Sequence, residues 1–253
     1  MKYALITGAA SGMGRIYAQR LAQRGYSLVL VDINASGLEG TEAIVRNMAG
    51  DHVRILSVVQ DLSVPDAADR IYAVTEAEGC EVEVLVNNAG LAIGVDKEHE
   101  GCLEEWDVVI DTNIKALLAM TRMVVPGMVE RGRGHIINIG SIAGDAAYPG
   151  GSVYCATKAA VKALSDGLRI DLVDTPLRVT NVKPGLVETN FSVVRFRGNN
   201  EKADNVYKGI RPLTGEDIAE VVYFAASAPE HMQIAEVLVM PTNQATGTIV
   251  SRN

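Results

Sequence analysis

Cysteine, histidine and aromatic residues are all scarce in this sequence. Three cysteines, Cys80, Cys102 and Cys155, occur in 253 residues. Their odd number and unpaired spacing argue against a disulfide framework and against a zinc site, and free thiols fit a reducing cytoplasm. Cys155 adjoins a tyrosine, but no histidine lies near it in sequence to activate a thiolate, so it reads as a small helix residue. The four histidines, His52, His99, His135 and His231, fall in no metal-ligand spacing. We assign all four to structural or surface places, His135 at a strand edge, and expect no metal. No apolar run approaches the roughly 18 residues of a membrane span. The first apolar run begins almost at residue 2, which leaves no room for a signal peptide. Positive charge is in deficit, 23 Lys and Arg against 31 Asp and Glu, so nucleic acid and anionic membranes are poor partners.

What is present is a regular alternation. Short apolar, β-branched runs recur at 3–7, 27–32, 53–59, 82–87, 135–140, 177–184 and 235–240. Most are nearly continuous rather than alternating, as in strands buried on both faces. Stretches with helical spacing separate them. In 12–24, Ile16, Ala18, Leu21 and Ala22 share a face; in 152–174, Val153, Ala156, Ala160, Leu164, Leu168 and Leu172 recur every three or four residues. Strands alternating with helices predict an α/β fold, a Rossmann-like doubly wound parallel sheet of about seven strands with helices on both faces. No Pro/Ser-rich linker, repeat or low-complexity tract divides the chain, so 1–253 reads as a single domain. The one long irregular segment, about 185–212, follows a strand and leaves the sheet where ligands bind.

Directly after the first run stands "TGAASGMG", Thr7 to Gly14. Glycines at 8, 12 and 14 permit a tight turn and close approach to a pyrophosphate, and a helix N-terminus there offers unpaired N–H groups. A Gly-rich turn that binds nothing is the plain alternative. Asp32 ends the second strand, 18 residues past Gly14. A carboxylate there accepts hydrogen bonds from the adenosine-ribose hydroxyls and repels a 2′-phosphate; alone, it is equally a turn or helix-start residue.

"TGAASGMG", "NNAG" at 87–90, "YCATK" at 154–158 and "PG" at 184–185 together resemble the short-chain dehydrogenase/reductase family, across essentially the whole chain. The resemblance implies an enzyme, a bound NAD or NADP, and many relatives that are homotetramers, with a homodimer the alternative. Carried over by motif, the cofactor would meet Gly8, Ser11, Gly12, Met13, Gly14, Asp32, Asp61, Leu62, Asn88, Ala89, Gly90, Tyr154, Lys158, Pro184, Gly185, Val187 and Thr189. Asp61 would contact adenine, and Thr189 the carboxamide or a cofactor phosphate.

The residues of "SIAGDAAYPGGSVYCATK" carry the chemistry. Tyr154 and Lys158, spaced i, i+4, project from one helix face. A free phenol ionises near ~10 and is a poor base at neutral pH, but a nearby ammonium favours the phenolate. Tyr154 then serves as general base toward an alcohol and general acid toward a carbonyl. Ser141 would orient and polarise the reacting oxygen. Lys158 would also hold the nicotinamide ribose, and Asn113 would support a water relay to it. Each has a plain alternative: Ser141 as a helix cap, Asn113 as a buried amide, Tyr154 and Lys158 as a surface pair.

A closer resemblance, carried by "NNAGLAIG", "PGMVERGRGHIINIGSIAG" and "NFSVVRFRGN", is to the bacterial serine/3-hydroxy acid dehydrogenase subgroup. It implies a small-molecule substrate: a 3-hydroxy acid such as serine, allo-threonine or a 3-hydroxypropionate, or the matching oxo acid or semialdehyde. A 3-ketoacyl thioester reductase and a polyol dehydrogenase are the alternatives within the family, and a non-catalytic dinucleotide sensor the alternative outside enzymes. That subgroup carries arginines after the second strand and uses NADP; here the sequence reads "VDINAS", so NAD is expected, with Arg15 still able to reach a phosphate. In an extended "VVRFRG", Arg195 and Arg197 point the same way. Arg195, nearer the apolar "FSVV", is the candidate for the substrate carboxylate.

Overall fold

The computed structural model describes residues 2–50 and 52–252. Seven strands, β1 (Tyr3–Thr7), β2 (Ser27–Asp32), β3 (Ile55–Val59), β4 (Val82–Asn87), β5 (His135–Ile139), β6 (Arg178–Pro184) and β7 (Glu236–Val239), form one sheet in the order β3-β2-β1-β4-β5-β6-β7. Every neighbouring pair is parallel. The helices are α1 (Gly12–Gln23), α2 (Ala35–Ala49), α3 (Ala67–Ala77), α4 (Leu103–Ile110), α5 (Ala116–Arg131), α6 (Ser152–Asp171), α7 (Phe191–Arg195), α8 (Asn200–Asn205) and α9 (Gly215–Ser227). The chain winds outward from β1 in one direction and from β4 in the other. A crevice opens at such a switch point, beyond the strands' carboxyl ends.

The continuous apolar runs are explained by two cores, one on each face. Along β1 and β2, Ala4, Ile6, Leu28 and Leu30 pack with Tyr17 and Leu21 of α1 and Ile218 of α9. The intervening Tyr3, Leu5, Val29 and Val31 pack with Ile71 of α3 and Met120 and Val124 of α5. Side chains that alternate between two dry faces leave few polar positions in the middle of these two strands.

The face of α6 differs from its apolar periodicity. The residues turned inward are Cys155, Thr157, Lys158, Val161 and Ser165, while Ala156 is exposed. The polar ones are paired beneath the helix: Lys158 Nζ donates to the Ile139 carbonyl at 2.8 Å, and Asn138 Nδ2 donates to Ser165 Oγ at 2.9 Å. Once such groups are satisfied, small residues that permit close packing outcompete an apolar stripe. In α1, Ile16 sits at the margin of the core and Tyr17 at its centre.

His135 opens β5, as expected of a residue at the strand's edge, but β5 runs between β4 and β6 and the side chain is only 2% exposed. Thr180 donates its hydroxyl to the Ile234 carbonyl, so it accepts from His135 Nε2–H at 2.8 Å. His135 Nδ1 has no partner, and a proton there would have no acceptor. Burial, aided by the Arg178 charge, holds the imidazole down at about 3. The unfolded chain takes up this proton near pH ~6.5 and the folded chain does not, so stability falls as pH drops through that window. His135→Gln is expected to shrink the stability loss between about pH 7.5 and 4.5 by ~2–3 kcal/mol, measured by urea unfolding at the two pH values.

Candidate active site

The cleft at the switch point is built first by the loop between β1 and α1. Gly8, at φ +69°, takes a left-handed conformation that a side chain would strain, and a Cβ there would also meet Asn88 and the Ala89 backbone. Asn88 Nδ2 donates to the carbonyls of Thr7 (2.8 Å) and Gly8 (3.2 Å), and Thr7 Oγ1 accepts from the N–H groups of Asn88 and Ala89. These bonds lock the loop to the end of β4. Ser11 precedes α1 without capping it, which leaves first-turn N–H groups for an anion.

A cavity of about 500 Å³ follows, lined by Gly8, Ser11, Gly12, Met13, Asp32 and Asp61, and further by Leu62, Asn88, Ala89, Gly90 and Thr189. Gly14 lies beneath it, pressed against the Gly8 carbonyl. No lysine or arginine is among its lining residues. Asp32 receives the Ala10 N–H on Oδ2 (2.9 Å) and the Asn34 N–H on Oδ1 (3.0 Å), and each oxygen keeps acceptor capacity. Arg15 is turned away: its guanidinium donates to Thr41 Oγ1 and to the carbonyls of Gly37 and Ala10, behind the loop. The expected reach of Arg15 to a phosphate is therefore not what the fold provides. Asp61 Oδ1 is occupied by the N–H and hydroxyl of Ser63.

A second chamber of about 310 Å³ adjoins the first and shares Met13, Asn88, Gly90, Thr189 and Phe191 with it. Ser141, Tyr154, Lys158, Pro184, Gly185, Val187 and Arg195 all line it. The elongated cavity, uncapped helix and paired carboxylate fit a dinucleotide.

Ser141 caps the turn Ile142–Gly144 through Oγ, which accepts the Ala143 N–H at 3.1 Å. Its hydroxyl also lies close enough to the Tyr154 phenol to favour the phenolate, so cap and site residue are one. Lys158 is buried, and burial brings its ammonium down to about 8. The expected ordering, a phenol made acidic by its lysine, does not describe the protein alone. Lys158 Nζ stands over the Tyr154 ring, 5.8 Å from its centroid. Burial dominates and, with Tyr148, pushes the phenol above its ordinary value against the opposing pull of Ser141 and Arg195. Tyr154 is thus held as a neutral hydrogen-bond donor. Asn113 sits in a π-helical turn (Asp111–Lys115) between α4 and α5, buried. Its side chain bonds both backbone groups of Leu91 and Thr157 Oγ1. Across Gly90, a Cβ would lie 3.2 Å from Asn113 Oδ1 and 3.4 Å from Lys158 Nζ, which places amide and ammonium side by side.

The two arginines of the long segment diverge. The segment is not extended: Phe191–Arg195 is a helix, and Arg197 follows at φ +52° and reverses the direction. Arg195 turns inward, donating from Nη1 to the Tyr148 hydroxyl at 2.8 Å, with its buried Nε unpartnered. Arg197 turns outward and pairs with Asp96 and Glu105, each at 2.7 Å. Three chamber residues escape the sequence pattern. Phe191 packs its ring at 5.3 Å from that of Tyr154, Tyr148 holds Arg195, and Gln244 Oε1 accepts from the Leu186 N–H. A tyrosine six residues before Tyr154, in an aromatic-poor chain, was a signal for the second; Gln244, in the C-terminal segment, had none.

The family model for short chain dehydrogenases matches residues 2–200. The chain is 44% identical over 241 residues to the NADP-dependent 3-hydroxy acid dehydrogenase YdfG of Salmonella typhi, covering 95% of each. It is 41% identical over 252 residues to the NADP-dependent 3-hydroxy acid dehydrogenase of Schizosaccharomyces pombe, covering 99% of this chain and 96% of the other. The closed form of a serine dehydrogenase complexed with NADP+ superposes with a TM-score of 0.90 at 40% identity, covering 99% of both chains. With that likeness along its whole length, the chain belongs to the short-chain dehydrogenase/reductase family and is an oxidoreductase acting on CH–OH groups.

Proposed function

We propose that the protein interconverts small 3-hydroxy acids with their oxo acids or semialdehydes, and that NAD(H) is its preferred dinucleotide. The observation that carries this reading is the convergence of Ser141, Tyr154 and Arg195 on one small chamber beside the dinucleotide cleft. The bound nicotinamide supplies the hydride acceptor in oxidation and the donor in reduction. Tyr154 receives the hydroxyl proton of the acid, or returns it to the carbonyl oxygen in reduction. Ser141 donates to the same oxygen and fixes its direction. Lys158 sets a positive charge over the ring and binds the cofactor's ribose hydroxyls, with Asn113 bracing Leu91 beside it. Asp32 accepts from the adenosine ribose.

Arg195 is the anchor for the carboxylate. Its Nη1 already donates to Tyr148 and its Nη2 to the Gly150 carbonyl at 3.5 Å, so the guanidinium is held in place and its remaining Nη hydrogens are offered to a carboxylate. Arg195→Leu is expected to raise KM for 3-hydroxy acids about tenfold or more, with a much smaller change for an uncharged short-chain aldehyde. Equal losses on both would reassign Arg195 to folding of the segment. The cation and the small chamber disfavour a long acyl thioester and a neutral polyol. The assay that tests the reading follows NADH and NADPH consumption with malonic semialdehyde beside an acetoacetyl thioester. Preference for the thioester would overturn it. We also propose a homotetramer, with a homodimer as the smaller alternative, to be read from sedimentation velocity. Among the described residues, no helix is long and apolar enough to cross a membrane.

A further inference from the structure

Lys183 stands inside the sheet, in β6, with its side chain 5% exposed. Its ammonium is held between Asp145 (2.6 Å) and Glu236 of β7 (3.0 Å). Glu236 is itself steered by Asn181, whose Nδ2 donates to Oε2 at 3.3 Å. Relative to an apolar residue of similar volume, a buried ion pair is a weak stabiliser. It does fix the groups it joins, and what this one joins is the segment that carries Ser141.

Residues 140–145 are pinned to β6 at both ends. At the near end, the Gly140 N–H donates to the Val182 carbonyl at 2.8 Å. Gly140 also lies so close to β6 that a Cβ would meet Asn181 Oδ1 and come within 3.1 Å of Lys183 Cγ. At the far end, Asp145 closes the turn that Ser141 opens: its N–H donates to the Ile142 carbonyl at 3.0 Å, and its carboxylate reaches back to Lys183. Within the turn, Gly144 packs against the carbonyl of Lys158. Ser141 is therefore held to β6 through Gly140, through its own hydroxyl, which reaches the Pro184 carbonyl at 3.5 Å, and through Asp145, and only the last depends on side-chain charge.

We propose that Lys183 and Asp145, with Glu236 as the opposing carboxylate, are positioning residues that hold the Ser141 hydroxyl at the reacting oxygen. This rests on the role of Ser141 given above. None of the three touches the chamber, so they act through the turn. The test is a kinetic double-mutant cycle at saturating dinucleotide with malonic semialdehyde. Asp145→Asn is expected to lower kcat about tenfold with dinucleotide affinity unchanged. Lys183→Met should do the same, and Lys183→Arg, which keeps the ion pair, should recover most of the loss. In the Ser141→Ala background, Asp145→Asn should cost nothing further, because the group it positions is already gone.

Additive losses in the double variant, or an undiminished kcat in Asp145→Asn, would overturn the proposal while leaving Ser141 in place. An unimpaired Ser141→Ala enzyme would overturn both. Should Lys183→Met fail to fold, Asp145→Asn carries the test alone, since that side chain is 37% exposed and tolerates the change.

Discussion

Tyr154→Phe is expected to reduce turnover at least about a hundredfold while leaving dinucleotide binding intact. The substitution removes one oxygen and keeps the ring that packs against Phe191 and lies under the Lys158 ammonium. Lost activity therefore reports the proton, not the fold. Burial keeps the phenol protonated well above the ordinary value in the protein alone, which has a directional consequence. Reduction uses the protonated form, so its rate should stay level as pH rises from about 6 to 8. Oxidation needs the phenolate, so its rate should climb over the same interval. Steady-state assays of both directions across pH check this. Near-normal turnover in Tyr154→Phe would remove Tyr154 from the reaction. Lys158→Ala should lose activity and some dinucleotide affinity as well, read by fluorescence titration.

The second large effect concerns the choice between dinucleotides. NADH is expected to give kcat/KM roughly 10- to 1,000-fold above NADPH, since a carboxylate facing a 2′-phosphate costs a few kcal/mol. The relatives described above are NADP-dependent by name, so the reading rests on this chain's own residues. Asp32 is aligned by two backbone N–H groups, Arg15 is engaged elsewhere, and among the described residues no lysine or arginine lines the cavity around Asp32. Asp32→Ala should narrow the ratio and Asp32→Arg invert it. A wild-type enzyme faster with NADPH would show that Asp32 does not face the ribose.

The strands, the Gly-rich loop and the pair Tyr154 and Lys158 were legible because each is a local pattern: a run of β-branched residues, glycines after a strand, a spacing of four. The inward face of α6 was not. Ser165 and Lys158 are buried there because Asn138 and Ile139, 27 and 19 positions earlier, satisfy them, and periodicity carries no record of a distant partner. The segment 185–212 read as irregular because its helices, five and six residues long, are too short to show a period. The divergence of Arg195 and Arg197 comes from the short helix that ends at Arg195 and the left-handed backbone at Arg197. The protonation of Tyr154 was misjudged for a similar reason: spacing reveals the neighbouring charge but not the depth at which both groups lie.

The outward pairing of Arg197 with Asp96 and Glu105 bears on how such enzymes exchange parts. The two acids lie 101 and 92 residues earlier in the chain. A chimera that receives residues 185–212 from a relative, without matching acids at 96 and 105, would inherit the arginine's left-handed backbone and lose its tether. The grafted arm would then aim Arg195 poorly, however faithful its own sequence. New substrate ranges made by recombination should therefore succeed when both stretches come from one parent, and crossovers between them should be enriched among inactive progeny.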